Sequence, residues 1–216
     1  MKLLIISFCF LAVTDSQYRY NISEYLDDAV EEYNLKVLKS GDEYVALDDP
    51  LTIGGFLLTR PMLADMSSLE RVGSAWMRPL KDAVEVTASF KFGKMHLDGW
   101  NLTGPGKNVE KPRISARDNL VEVTFKGRIE TTSSWPTAGG PRVVTKSCFA
   151  TYDASLAGIY SVVLVTRDGV TSLDGWSRGL LQQISEQIDP FLKAVFEKHF
   201  DLCRSLKNNG YKWSNN

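Results

Sequence analysis

Histidine and cysteine are scarce in this chain, with two of the first and three of the second among 216 residues. That scarcity removes most acid–base and metal chemistry. No His-Glu-x-x-His pair is present for zinc, and the run Lys146-Ser147-Cys148-Phe149 has no nucleophile context. His96 and His199 have no motif partners, so packing or surface roles are expected of both. Carboxylates are numerous but scattered. Asp27, Asp28, Glu31 and Glu32 fall on the wet face of a helix, without the looped Asp-x-Asp-x-x-Gly geometry that wraps calcium. Gly104-Pro105-Gly106-Lys107-Asn108 lacks the first glycine and the final hydroxyl of a phosphate loop, so it reads as a hairpin tip. The expectation is a protein that is not an enzyme, with no catalytic residue, metal ligand or cofactor. A hydrolase would instead need a Ser or Asp against His96 or His199.

A surplus of either charge is also missing. Lysine and arginine number 25 against 26 acids, a net charge of −1. Without a basic run, nucleic acid is not expected as a partner. No apolar stretch reaches the roughly 20 residues of a membrane span, so no stable membrane anchor is expected. No linker or low-complexity tract divides the chain. Leu97-Asp98-Gly99-Trp100 recurs as Leu173-Asp174-Gly175-Trp176, but Asp-Gly turns followed by a packing tryptophan account for this without a repeat.

The chain does carry an export signature. Met1-Lys2, the apolar run from Leu3 to Val13 and the small or turn-forming Thr14-Asp15-Ser16 read as a signal peptide over residues 1–16, cleaved before Gln17. Residues 17–216 are then expected to form one secreted, extracellular domain with a sizeable core. Export removes Cys9 and leaves Cys148 and Cys203 in a compartment where disulfides persist. Their pairing is expected, closing a loop of about 55 residues for roughly 4 kcal/mol on the chain-entropy model; two free buried thiols are the alternative. Two sequons become meaningful in an exported chain, Asn21-Ile22-Ser23 and Asn101-Leu102-Thr103. Asn101 is favoured because it adjoins the turn-rich Gly104-Pro105-Gly106, whereas Asn21 opens a helix.

Periodicity sets the order of elements. From Asn21 to Ser40, Ile22, Leu26, Ala29, Val30, Tyr33, Val37 and Leu38 recur at helical spacing, with Asn21 as N-cap and Gly41 as stop. Strand alternation follows from Leu51 and is clearest from Asp82 to Phe92, with a bulge expected at Gly93 before Met95 and Leu97. A strand near Arg113 to Ala116 is expected to turn at Arg117-Asp118-Asn119 and return through Val121, Val123 and Phe125. Arg142–Tyr152 and Ile159–Thr166 read as two further strands. Beyond Ser172 a long apolar stripe returns, with a kink or break expected near Asp189 because Pro190 removes a helical hydrogen bond.

A bent apolar sheet face covered by a long helix is an α+β arrangement. If the two do not fill the space between them, a dry slot remains that favours a greasy ligand. Core and slot linings look alike in sequence, so full packing is the alternative. In that case the exposed loop from Thr131 to Val143 would serve as a protein-interaction or surface-binding site.

The helix at Asn21–Ser40, a strand near Gly54–Leu63, the segment Ser67-Ser68-Leu69-Glu70-Arg71-Val72-Gly73 and the final helix together resemble the mite group 7 allergens. They resemble more distantly the insect takeout, juvenile-hormone-binding and bactericidal permeability-increasing proteins, all of the tubular lipid-binding superfamily. Leu69-x-Arg71-x-Gly73 is the closest local match. The resemblance implies a strongly curved antiparallel sheet wrapped around a long C-terminal helix, with an N-terminal helix and a lipid held between. A Cys148–Cys203 link would tether a sheet strand to the last helix, as in the bactericidal branch. Group 7 allergens do not depend on such a bridge, and the early cysteine pair usual in takeout-like proteins is absent after residue 16. The partner implied is an apolar small molecule or lipid: fatty acid, sterol, isoprenoid or phospholipid. Expected lining residues are Val84, Val86, Phe90 and Phe92 on one strand and Val123 and Phe125 on another. The helix is expected to add Leu181, Ile184, Ile188, Phe191 and Val195. Trp100, Trp135 and Trp176 are placed at the rims.

Overall fold

The computed structural model of the chain describes residues 19–80, 83–134, 142–173 and 175–208, with the side chains of residues 20, 79, 128–134, 142–149, 176, 177 and 206–208 outside the description. The signal segment, the tip of the 131–143 loop and Trp135 therefore lie outside the described residues, as do the side chains of Trp176 and Cys148. A short strand β1 (Tyr20–Asn21) leads into α1 (Ser23–Ser40). Then come β2 (Tyr44–Ala46), β3 (Leu51–Ile53), β4 (Phe56–Thr59), β5 (Met62–Ala64), β6 (Leu69–Pro79) and β7 (Val84–Phe92). They are followed by β8 (His96–Asp98), β9 (Asn101–Gly104), β10 (Lys107–Glu110), β11 (Arg113–Ser134), β12 (Arg142–Thr166) and β13 (Gly169–Ser172). The chain closes with α2 (Trp176–His199) and α3 (Leu202–Asn208).

The fold is an antiparallel, sheet-dominated α+β arrangement with a helix at each end of the chain, as the sequence suggests. The larger sheet runs β1-β6-β7-β11-β8-β5-β2, and β12 and β13 extend it from the other edge of β11. A second sheet of four short strands, β10-β9-β4-β3, was not legible in the sequence. Its strands are three or four residues long, too short to show an alternation.

Three expectations about the strands need correction, and one physical device explains two of them. The segment Arg117-Asp118-Asn119 does not reverse the chain; β11 continues through it as one strand of 22 residues. Likewise there is no bulge at Gly93 within a continuing strand: β7 ends at Phe92, and β8 is a separate strand. β11 pairs with β8 through residues 113–115 and with β7 through residues 121–127, so one edge serves two strands in succession. Asn119 fills the gap between them. Its carboxamide accepts the Phe92 N–H at 2.8 Å and donates to the Phe92 carbonyl at 2.8 Å and to the Ala116 carbonyl at 3.1 Å, standing in for a missing rung of the ladder. A polar side chain that reads as a turn signal is here a buried sheet component. The two strands expected around Tyr152 and Ile159 are also one, β12, of 25 residues.

Gly41 stops α1 as expected, in a left-handed conformation with φ 77°. The cap at the other end is Ile22; Asn21 instead accepts the Ser23 N–H and hydroxyl. The Leu69-x-Arg71-x-Gly73 segment fastens α1 to β6. The Asn34 amide pairs with both backbone groups of Leu69 at 2.9 Å, and Arg71 grips Asp27 with two bonds at 2.7 and 2.8 Å. Gly73, with φ 68°, opens a bulge in β6 whose Ala75 receives Ile22 N and donates to the Ser23 hydroxyl.

The helix α2 runs unbroken through Pro190, so no break occurs at Asp189. The break falls instead at Phe200–Asp201, before α3. Asp189 is turned to the sheet rather than capping a second helix. The β11–β12 register slips at Ala157, and the Leu156 N–H beside the slip donates to the Asp189 carboxylate at 2.8 Å. Burial pushes that carboxyl above its ordinary value, against the lowering effect of this hydrogen bond.

Candidate functional site

The interior is one continuous cluster of buried apolar side chains, contributed by α1, α2, both sheets and the start of α3. Two contacts fix how α2 lies on it. Asp189 sits against Leu156, and Leu173, just before the helix, donates its N–H to the Val162 carbonyl. The first half of α2 therefore runs over the part of β12 that carries Ile159, Val162 and Leu164, all buried. Leu180, Ile184 and Ile188 face inward there, and Leu181 is only half-buried.

The second half of α2 meets a ring cluster. Phe125 stacks on Phe200 at 5.0 Å and meets Tyr152 edge-on at 5.1 Å, while Phe90 lies 5.9 Å from Phe196. Tyr33 of α1 stacks on Phe196 at 5.2 Å. All of these rings are buried. Ring pairs of this geometry contribute about 0.5–1.5 kcal/mol each beyond their burial. Side-chain contact is therefore continuous where α2 ends.

Outside the ring cluster lies a polar clasp. Asp42, just past α1, accepts from Lys198 at 2.5 Å, from His199 Nε2 at 2.6 Å and from the Ser40 hydroxyl at 2.9 Å. The hydrogen bonds from Lys198, then His199, hold the Asp42 carboxyl well below the usual carboxylate range. Lys36 reaches the His199 carbonyl at 3.5 Å, and the Tyr152 hydroxyl donates to the Phe200 carbonyl at 2.5 Å. Burial raises the Tyr152 phenol to about 12, with Asp201 and Glu197 adding to it, so the hydroxyl stays a donor. Arg204 pairs with Glu32 at 3.0 Å, and the Ser205 hydroxyl bonds the Tyr25 carbonyl. A cavity of about 260 Å³ opens among these groups, lined by Lys36, Tyr152, Lys198, His199, Phe200 and Cys203 among others.

The hydrolase criterion is met in contact but not in geometry. Ser40 lies 3.3 Å from His199, yet on Nε2, the same nitrogen that Asp42 occupies. A nucleophile triad needs the hydroxyl and the carboxylate on opposite ring nitrogens, because one takes the proton while the other orients the ring. His96 has a carboxylate on each side instead, Asp65 at 3.3 Å from Nδ1 and Asp98 at 3.3 Å from Nε2, and Asp98 is gripped by Arg113 at 2.9 and 3.1 Å. No nucleophile approaches either nitrogen among the described residues.

The residues expected to line a slot are thus brought together only in part. Phe90 and Phe125 belong to the ring cluster, at 6.4 Å from one another. Val84 and Val86, paired with Gly127 and Phe125, lie on the strand segment running away from the β7 end that carries Phe92. Phe92 instead closes onto Asn119, Val123 pairs with Ala88 and Ala154, and Val195 packs with the second half of α2. Ile184 and Ile188 sit in the first half of α2 and at its junction with the second; Leu181 and Phe191 are half-buried beside the core. Tyr33, Phe196, Phe200 and Asp42 were not among the expected site residues. Phe196 and Phe200 share the apolar stripe of α2, and Tyr33 shares that of α1, but periodicity does not say which stripe residues meet. Trp100 is 57% exposed beneath Arg60, whose guanidinium carbon is 5.6 Å from the ring centre. Asn101 lies half-buried between β4 and β10, whereas Asn21 is exposed. No helix among the described residues is long and apolar enough to cross a membrane.

No family model matches the chain, and no curated protein does. A solved structure, Takeout 1 of Epiphyas postvittana, aligns over 87% of this chain and 87% of its own at 14% identity, with a TM-score of 0.26. A superposition of that quality carries no functional argument.

Proposed function

We propose that this protein is an extracellular carrier of an apolar, lipid-like small molecule, held in the interior beneath the first half of α2. The observation that carries this reading is the unequal fastening of that helix. Its second half and the residue that ends it are held by rings and by the Asp42, Lys36 and Tyr152 contacts. Ahead of Asp189, the described polar tie to the body of the protein is Gln187 accepting the Asp48 N–H at 2.8 Å. The remaining contact is aliphatic, through Leu180, Leu181, Ile184 and Ile188. The helix start adds to the asymmetry: its N-cap is a left-handed Gly175 with no side-chain cap, and a Cβ at Gly179 would meet nothing within 4 Å. Non-directional aliphatic contact can be exchanged for contact with a ligand chain, at about 0.8 kcal/mol per buried methylene before binding costs. The ring cluster closes the other end, so Val84 and Val86 are not part of the proposed site.

A Cys148–Cys203 disulfide fits this arrangement, since α3, which bears Cys203, packs on β12, which bears Cys148. The test is organic extraction of the purified protein with mass spectrometry, together with binding of N-phenyl-1-naphthylamine followed by its fluorescence. A stoichiometric lipid or saturable probe binding is expected. A protein that extracts empty and leaves the probe dark refutes the carrier reading.

A further inference from the structure

The two sequons sit in different surroundings. Asn101 lies on β9, inside the four-stranded sheet, with Thr59 on one side and Glu110 on the other, and it is half-buried. Asn21 lies on β1, at the end of the larger sheet, and is exposed. Its Oδ1 accepts the Ser23 hydroxyl at 2.6 Å and the Ser23 N–H at 3.0 Å. The carboxamide is thus held by its oxygen, while Nδ2, the atom that carries an N-linked sugar, has no acceptor among the described residues. A sugar on Nδ2 leaves both bonds at the start of α1 in place.

Across the strand pair, Asn21 faces Trp76 of β6. Residues paired in this way project from the same face of a sheet, with Cβ atoms about 5 Å apart. Ala75 and Met77 on either side of Trp76 are both 0% exposed, so the indole between them points away from the core, and it is 40% exposed. One face of a β-linked N-acetylglucosamine carries only C–H bonds, and such a face packs flat on an aromatic ring. A sugar joined to Asn21 therefore starts beside an apolar surface of matching shape. Asn101 has Thr59 and Glu110 across from it, and neither offers a ring.

We infer that Asn21 carries the N-linked glycan of this chain and that Trp76 is the platform on which its first N-acetylglucosamine lies. The donor is a polyprenyl-diphosphate-linked oligosaccharide. The bond from sugar C1 to the diphosphate oxygen breaks, a bond from C1 to Nδ2 forms, Nδ2 gives up one proton, and the polyprenyl diphosphate leaves. The glycan depends on the extracellular part of the carrier reading, because the transfer occurs during export, and it requires no bound ligand. It also guards a sheet end. Among the described residues β1 pairs with β6 alone, so its outer edge is open to strand addition, and a bulky sugar on Asn21 obstructs that approach.

Secretion from mammalian cells that make only high-mannose glycans, followed by endoglycosidase H, leaves one N-acetylglucosamine on each modified Asn. Peptide mapping by mass spectrometry is expected to find that sugar on Asn21 in more copies than on Asn101. The reverse order, or a secreted chain bare at both, overturns the site. The platform is tested in the Asn101→Gln chain, with the trimmed protein set against the same polypeptide from the bacterial periplasm, which adds no glycan. The single sugar is expected to raise the melting temperature by about 2–4 °C with Trp76 present and by less than about 1 °C in Trp76→Thr. In proton spectra of the Trp76 protein, the sugar C–H signals should move upfield, under the indole ring current, relative to the same sugar on a short Asn-Ile-Ser peptide. Unshifted signals, or an equal gain with and without the indole, overturn the platform. A chain retained in the cells and bare at both sequons refutes the extracellular reading and the glycan with it, whereas lipid extraction reports separately on the ligand.

Discussion

Replacing Asp42 by Asn tests whether the clasp holds the end of α2. The carboxylate accepts hydrogen bonds from an exposed Lys198 and from His199, whose side chain is 7% exposed. The lysine contact is open to solvent and contributes at most about 1 kcal/mol. The buried histidine contact is charge-assisted and falls in the range of about 1.5–3 kcal/mol. Both donors meet one oxygen, Oδ2, so an amide oxygen in its place still accepts from both, and what is lost is the charge. The expected loss is therefore about 1–2 kcal/mol at neutral pH, which for a chain of this size lowers the melting temperature by roughly 2–8 °C. The pH dependence gives a second handle. Because the folded carboxyl titrates below its unfolded value, its contribution is complete above about pH 5 and is lost as pH falls toward the folded value. The gap between wild type and Asp42→Asn, read from urea denaturation, should narrow between about pH 5 and pH 2. Hydrogen exchange should quicken in α2 near His199 and in the turn after α1, with β11 unaffected. A loss under about 0.5 kcal/mol at pH 7, or a gap that does not change with pH, refutes this account of the clasp.

Other substitutions probe the remaining parts. Phe125→Ala removes the ring at the centre of the cluster and should cost about 3–5 kcal/mol in urea denaturation. Asn119→Ala strands the Phe92 N–H and carbonyl inside the sheet and should cost about 2–4 kcal/mol, whereas Leu35→Ala on the exposed face of α1 should stay within about 0.5 kcal/mol. Ile184→Trp should fill the slot and lower probe affinity more than tenfold while the far-ultraviolet circular dichroism is retained; unchanged binding would place the ligand elsewhere. Cys203→Ser, if Cys148 and Cys203 are paired, should lower stability by about 2–4 kcal/mol, and reductant should then have no further effect on the variant's melting temperature.

Much of the architecture was legible because it is written in local period. The stripe from Leu26 to Val37 fixed α1, Gly41 fixed its end, and the alternation from Val84 to Phe92 fixed β7. The amphipathic stripe from Leu180 to Phe200 likewise made α2 a helix that must bury one side. These features depend on residues within a few positions of one another, which a sequence displays directly. Tertiary structure decided the rest. Whether Asn119 turns the chain or completes a sheet depends on Phe92, 27 residues away, and whether Pro190 breaks its helix depends on how α2 packs against β12. Ser40, Asp42 and His199 meet only because α1 and α2 end side by side. Apolar residues of core and slot obey the same transfer energetics, so no pattern of hydrophobicity separates them. The distinction between the clamped and the loosely held half of α2 arises from which side chains the fold brings into contact.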